Sequence, residues 1–316
     1  MAPTTPAPPA LVPSTARRPW LTALLALGVY LAFNLLLPLA PLPHHKVAIG
    51  VIIALVAGST AMFMLLQLWL SFAVADLRPR PLVCVGLSLL LAGLWVADFL
   101  YLQRPHYLHI PLFVLQIGLG LSITLGCTFL GILLSRIIRE PNVLLPVALI
   151  AMPIDYLGAM TSIGFTHTIV TNHPNIVPAV SIPVPTVGGA THPGGLHPIG
   201  FIGPGDVLFV AFFFAVVLRL NMNVRGTFWW IYGLLTATML FVLSQWGFNI
   251  AALVPMGLAV LIANFRYFKL KREEVFATLY AGLLIIALVT GFYLYYSHTH
   301  KDAPVTTLNA SKGTAP

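Results

Sequence analysis

Residues 201–220 read FIGPGDVLFVAFFFAVVLRL. From Val207 to Leu218 the stretch holds no polar side chain, which is the composition of a helix buried in protein or lipid. Its first turn nevertheless carries Gly203, Pro204, Gly205 and the ionisable Asp206. A carboxylate at membrane depth costs about 3 kcal/mol on insertion scales, so an intramembrane acid marks a functional site by default.

The rest of the chain has the same character. Its 316 residues are 59% hydrophobic and only 8% charged, against about 25% charge in a soluble domain. This excludes an ordinary soluble enzyme and predicts an all-α polytopic membrane protein. About nine apolar spans are expected, near 20–40, 47–73, 81–102, 110–136, 142–163, 202–220, 227–245, 249–265 and 275–296. The net charge of +8 reads as basic loops on one side of a membrane, not as a nucleic-acid surface. Cys84 and Cys127 fall inside apolar spans and read as small core residues, not as a disulfide or zinc site.

Five parts follow from this pattern. Residues 1–19 are a disordered Pro/Ala-rich tail. Residues 20–141 form a four-helix transmembrane part. Residues 142–265 form a core whose loop, 164–201, lies outside. Residues 266–296 are a basic loop and a last span, and 297–316 are a tail. The first span reads as retained, and Arg17 and Arg18 before it as anchors. With the N-terminus inside, twelve of the sixteen Lys and Arg residues fall inside and four outside. The expected topology is an integral multi-pass protein with a cytoplasmic N-terminus and an extracytoplasmic C-terminus, in a prokaryotic plasma membrane.

Of the eight acids, Asp76, Glu140, Glu273, Glu274 and Asp302 fall in loops or tails. Asp98 lies near a span end, within sequence reach of Arg104. Asp155 and Asp206 remain, on the consecutive antiparallel fifth and sixth spans. At 1.5 Å per residue they lie about 12 Å and about 6–8 Å below the outer ends of their helices. Two carboxylates facing each other in a low dielectric cannot both ionise. One then serves as general base on water and the other as general acid. Two such acids also suit a proton relay or an ion site, so residues alone leave an aspartic hydrolase and a proton- or ion-coupled transporter or channel both open. Plainer roles exist too: Asp206 as a helix-start acid, Asp155 as an interhelical hydrogen-bond acceptor.

The motif IGPGDVLF resembles the Gly-x-Gly-Asp element of intramembrane aspartyl proteases, and its continuation VAFFFAVVLRLNM resembles the matching helix of signal peptide peptidase. PIDYLGAMTSIGFTHTIVTNHPNIVPAVSIPVP is similar to the presenilin and signal peptide peptidase segment around the first catalytic aspartate. AALVPMGLAV stands where that family places its Pro-Ala-Leu element. The likeness covers roughly residues 142–265. It implies a presenilin/signal-peptide-peptidase-like bundle with Asp155 and Asp206 as the catalytic pair. It also implies Gly203, Gly205, Leu253, Val254, Pro255 and Tyr156 as residues near the substrate. Substrates would be single-span transmembrane helices or signal-peptide remnants, with no cofactor, no metal and no nucleic-acid partner. Differences from the family pattern are Ile154 before Asp155, the missing proline ahead of Ala252-Leu253, four spans before the first aspartate and one extra span at the end. Prepilin peptidase shares Gly-x-Gly-Asp but continues with lysine, where this chain has Val207.

The outside loop is uncharged and rich in Pro, Gly and His. Its VSIPVP stretch predicts a short strand able to pair with an unwound substrate, and the loop as a whole a gate. All ten histidines, His44, His45, His106, His109, His167, His173, His192, His197, His298 and His300, fall outside in this topology. Their spacing matches no zinc signature, and they read as polar residues on a face that avoids Lys and Arg.

Overall fold

A computed structural model describes residues 18–40, 49–102, 112–160, 176–188, 198–243 and 251–269, with isolated positions at 172 and between 272 and 291. Nine α-helices and one two-stranded ribbon are placed among them. The helices are α1 (Pro19–Leu39), α2 (Ile49–Asp76), α3 (Pro81–Leu102), α4 (Leu112–Leu134), α5 (Pro141–Met160), the single turn α6 (Val177–Val180), α7 (Pro204–Arg219), α8 (Val224–Leu243) and α9 (Leu253–Asn264). Strands β1 (Ile182–Pro183) and β2 (Phe201–Ile202) are antiparallel, with Ile182 opposite Ile202 and Pro183 opposite Phe201.

The protein is thus helical and built for a membrane, with α1 to α5 each long and apolar enough to cross one. Eight of the nine expected spans coincide with helices, within a few residues at each end. The ninth, 275–296, lies outside the continuously described residues, as do all ten histidines. The eighth, α9, has only 12 residues, about 18 Å of helix. Its first N–H groups have no acceptor within the helix and need partners from elsewhere.

Helix α7 is the axis of the bundle. Every residue from Val210 to Leu218 is buried, which is why its sequence is apolar on all sides. Helix α4 lies directly against it, because Gly131 has no side chain. A Cβ at Gly131 would stand 2.3 Å from the Leu208 carbonyl oxygen and 2.9 Å from the Phe212 nitrogen. On another side Phe72 of α2, Phe214 of α7 and Phe228 of α8 form a ring triad. Phe72 meets both partners edge-on at 5.5 and 5.8 Å, and Phe214 stacks on Phe228 at 5.8 Å. Helix α3 packs on α4, and α5 packs on α9.

The ends of α2, α4 and α7 are tied together by arginines. Arg78 donates to the Leu218 carbonyl at 3.2 Å, and Arg136 donates to the Pro79 carbonyl. Arg219 donates to the Ser135 carbonyl at 2.7 Å and to that of Ile138. Cations suit the last carbonyls of a helix, where the dipole is negative and acceptors are unpaired. These ties make α2, α4 and α7 run parallel. At the same end Asn142 pairs with the Lys269 backbone in both directions, at 3.0 and 3.1 Å. Asn264 accepts from the Asn223 N–H at 3.0 Å and donates to Thr227 Oγ1 at 2.7 Å. The end of α9 is thereby fastened to the starts of α5 and α8, and this sets how far its other end reaches.

Candidate active site

Asp206 sits in the first turn of α7, three residues past the cap residue Gly203. Pro204 begins the helix, where its missing N–H costs nothing and its fixed φ favours entry. The Asp206 carboxylate folds back and accepts the Gly203 N–H at 3.2 Å, while the Asp206 N–H donates to the Gly203 carbonyl at 3.2 Å. A Cβ at Gly203 would stand 3.3 Å from that same carboxylate oxygen. Glycine there leaves the acid room. At Gly205 an added Cβ meets no atom of the described residues within 4 Å, and the residue is exposed. The turn carrying the carboxylate is therefore open on one side.

Asp155 lies on α5, two residues after Pro153. Its carboxylate accepts the backbone N–H of Leu253 at 2.9 Å. Leu253 is the first residue of α9, so Asp155 satisfies one of the orphan donors of that helix start. The packing that aligns them is tight. At Gly257, one turn further along α9, a Cβ would come within 2.8 Å of Met152. Helix α9 also touches α7, and so stands against both acid-bearing helices. The Asp155 and Asp206 carboxylates lie within electrostatic reach of each other, both half-buried.

The remaining expected residues divide. Leu253 and Pro255 are buried and Val254 is half-buried. The contribution of this element to the site is its backbone N–H, which residue types alone did not indicate. Tyr156 is 49% exposed and Ile154 61% exposed, so both stand at the outer surface of α5. Asp98 approaches Gly118 of α4, 3.3 Å from where a Cβ there would lie, and Arg104 lies outside the described residues. Among the described residues no group of three His, Cys, Asp or Glu could hold a metal ion.

The loop stretch expected to form a strand does so. Its partner is the chain's own segment before Gly203. Beyond the paired residues, the Val184 N–H donates to the Gly200 carbonyl at 2.9 Å, and the Ile199 N–H to the Val184 carbonyl at 3.3 Å. Ile182 and Val184 are fully buried, and Pro183 lies against Gly120 of α4. The ribbon thus fixes where α7 begins. Trp95 of α3 anchors α6 just ahead of β1 by donating its indole N–H to the Ala179 carbonyl at 2.8 Å. Replacing it, Trp95→Phe, should lower unfolding free energy by about 1 kcal/mol or more through the lost hydrogen bond and packing. Thermal unfolding in detergent measures it, and an unchanged midpoint would show that the indole does not hold the segment. A cavity of about 250 Å³ beside it, lined by Leu91, Trp95, Ile123, Cys127 and Leu130, reaches Pro204.

No family model, curated protein or solved structure matches the chain.

Proposed function

We propose that the protein is an intramembrane aspartyl endopeptidase that hydrolyses peptide bonds within single-span transmembrane helices. The observation that carries this reading is the pair of intramembrane carboxylates, Asp155 and Asp206. They lie within electrostatic reach of each other, each is held by a backbone N–H at a helix start, and one stands beside the open position at Gly205. The resemblance of residues 142–265 to the presenilin and signal peptide peptidase family supports it. The bundle is then a nine-span relative of that fold with both acids in the outer half of the membrane.

In this chemistry one carboxylate takes a proton from water as the oxygen attacks the substrate carbonyl carbon. The other, protonated, carboxyl donates its proton to the carbonyl oxygen. Collapse of the tetrahedral intermediate then transfers a proton to the leaving nitrogen and releases the two peptide ends. Glycines at 203 and 205 let a substrate backbone come close to the acids.

The test is purified protein in liposomes with a reporter transmembrane helix. Cleavage products with new termini inside the apolar segment are expected. Proton or ion flux across the same liposomes, without cleavage, would replace the protease with a coupled transporter. A second test uses the open position. Gly205→Val should leave the unfolding midpoint close to the parent, since a Cβ there meets nothing within 4 Å among the described residues, and yet reduce cleavage at least about tenfold by filling the substrate's approach. Full activity in Gly205→Val would place substrate elsewhere.

A further inference from the structure

The arginine ties at the shared end of α2, α4 and α7 gather a patch of positive charge. The turns 77–80 and 135–139 are joined by the Arg136 bond to the Pro79 carbonyl. They present Arg78, Arg80, Arg136 and Arg139, all exposed. Arg219 lies within electrostatic reach of Arg136. Asp76 and Glu140 flank these turns, which carry four arginines, with Arg219 bonded to the second turn as a fifth. Arg78 and Arg219 donate through one terminal nitrogen, Nη2, which leaves further guanidinium N–H groups to donate, while Arg136 donates to the Pro79 carbonyl and also meets Cys84. Arg78 also adopts a left-handed backbone, φ 47°. This ends α2 ahead of the turn into α3.

Apolar surface adjoins the charge. Ile137, between Arg136 and Arg139, is 72% exposed, and Leu82, two residues after Arg80, is 84% exposed. Side chains this apolar at the end of a membrane helix lie in hydrocarbon, with the arginines one layer further out. A free anion would use the arginines and leave Ile137 and Leu82 uncovered. A diacyl lipid covers both.

We propose that this face binds an anionic phospholipid, its phosphate among Arg80, Arg136 and Arg139 and its acyl chains along Leu82 and Ile137. The site is independent of the aspartates and holds whether or not they are catalytic. It is tested with the purified full chain in detergent, titrated with phosphatidylglycerol, with phosphatidylcholine and with inorganic phosphate, reading bound lipid by native mass spectrometry and the thermal midpoint. Phosphatidylglycerol should bind and raise the midpoint well above the other two. The double variant Arg80→Gln, Arg139→Gln should bind it roughly twenty-five-fold more weakly, about fivefold for each arginine lost near the surface. Its midpoint in phosphatidylcholine should match the parent, which shows the fold intact. Arg80→Lys, Arg139→Lys should restore most of the binding. Equal binding of both lipids, or undiminished phosphatidylglycerol binding by the glutamine variant, would overturn the proposal. Stabilisation by inorganic phosphate equal to that by the lipid would overturn it too, leaving a soluble-anion site.

Discussion

Asp155→Asn and Asp206→Asn are each expected to abolish cleavage of a reporter helix, with a loss of at least about a hundredfold. Asparagine makes the test sharp because it keeps an oxygen where each carboxylate accepts a hydrogen bond. The Leu253 N–H and the Gly203 N–H can both still be satisfied. What asparagine cannot do is exchange a proton with water or with a substrate carbonyl. If the acids serve only to finish helix starts, both variants will cleave like the parent, and the assignment of the aspartates as the catalytic pair falls. If they are a general acid and base acting in one step, the double variant will be no worse than either single one. Expression and thermal midpoints should stay near those of the parent. A collapse of the fold in Asp155→Asn would show that the carboxylate's charge, not its hydrogen bond, holds α9 in place.

Gly131→Val should be the most damaging single change in the bundle. The Cβ alone would stand 2.3 Å from the Leu208 carbonyl oxygen and 2.9 Å from the Phe212 nitrogen. Both neighbours are helix backbone, which cannot rotate aside as a side chain can. Helices α4 and α7 must therefore separate, and tightly packed contacts along Val210–Leu218 are lost. The expected cost is about 3 kcal/mol or more, with Gly131→Ala already costing about 1–2 kcal/mol. Gly58→Ala is the control. Its Cβ would meet nothing within 4 Å, and in a helix interior alanine is favoured over glycine by up to about 1 kcal/mol. The same substitution should thus have opposite signs at the two positions. Equal effects would mean that α4 does not lie against α7 as closely as the structure has it. Because α7 carries Asp206, partial unfolding of this contact should also reduce cleavage before the whole bundle unfolds.

Much of the architecture was legible from residues because the bilayer removes alternatives. A chain this apolar has to satisfy its backbone internally, so long apolar runs become helices and their ends fall where Pro, Gly and charge accumulate. This is why the expected 81–102 and the observed Pro81–Leu102 agree, and why 142–163 and 202–220 matched α5 and α7 closely. The candidate aspartates were legible for a related reason: a carboxylate is so costly in hydrocarbon that two of them in consecutive spans stand out without any coordinates. The strand at Ile182–Pro183 followed from apolar alternation broken by prolines.

Only the tertiary structure decided partners. No periodicity could show that Leu253 offers its backbone N–H to Asp155, because that bond joins residues 98 positions apart and depends on how α5 and α9 pack. Nor could it show that the Val184 segment pairs with Gly200 and Phe201 instead of waiting for another chain, since a strand's free edge accepts any backbone. Residue types placed arginines at one side of a membrane. Their convergence on the ends of α2, α4 and α7 arose from helix packing, where glycine at 131 lets two backbones touch. Composition sets what each segment must do with its own backbone, whereas packing chooses which neighbour completes it.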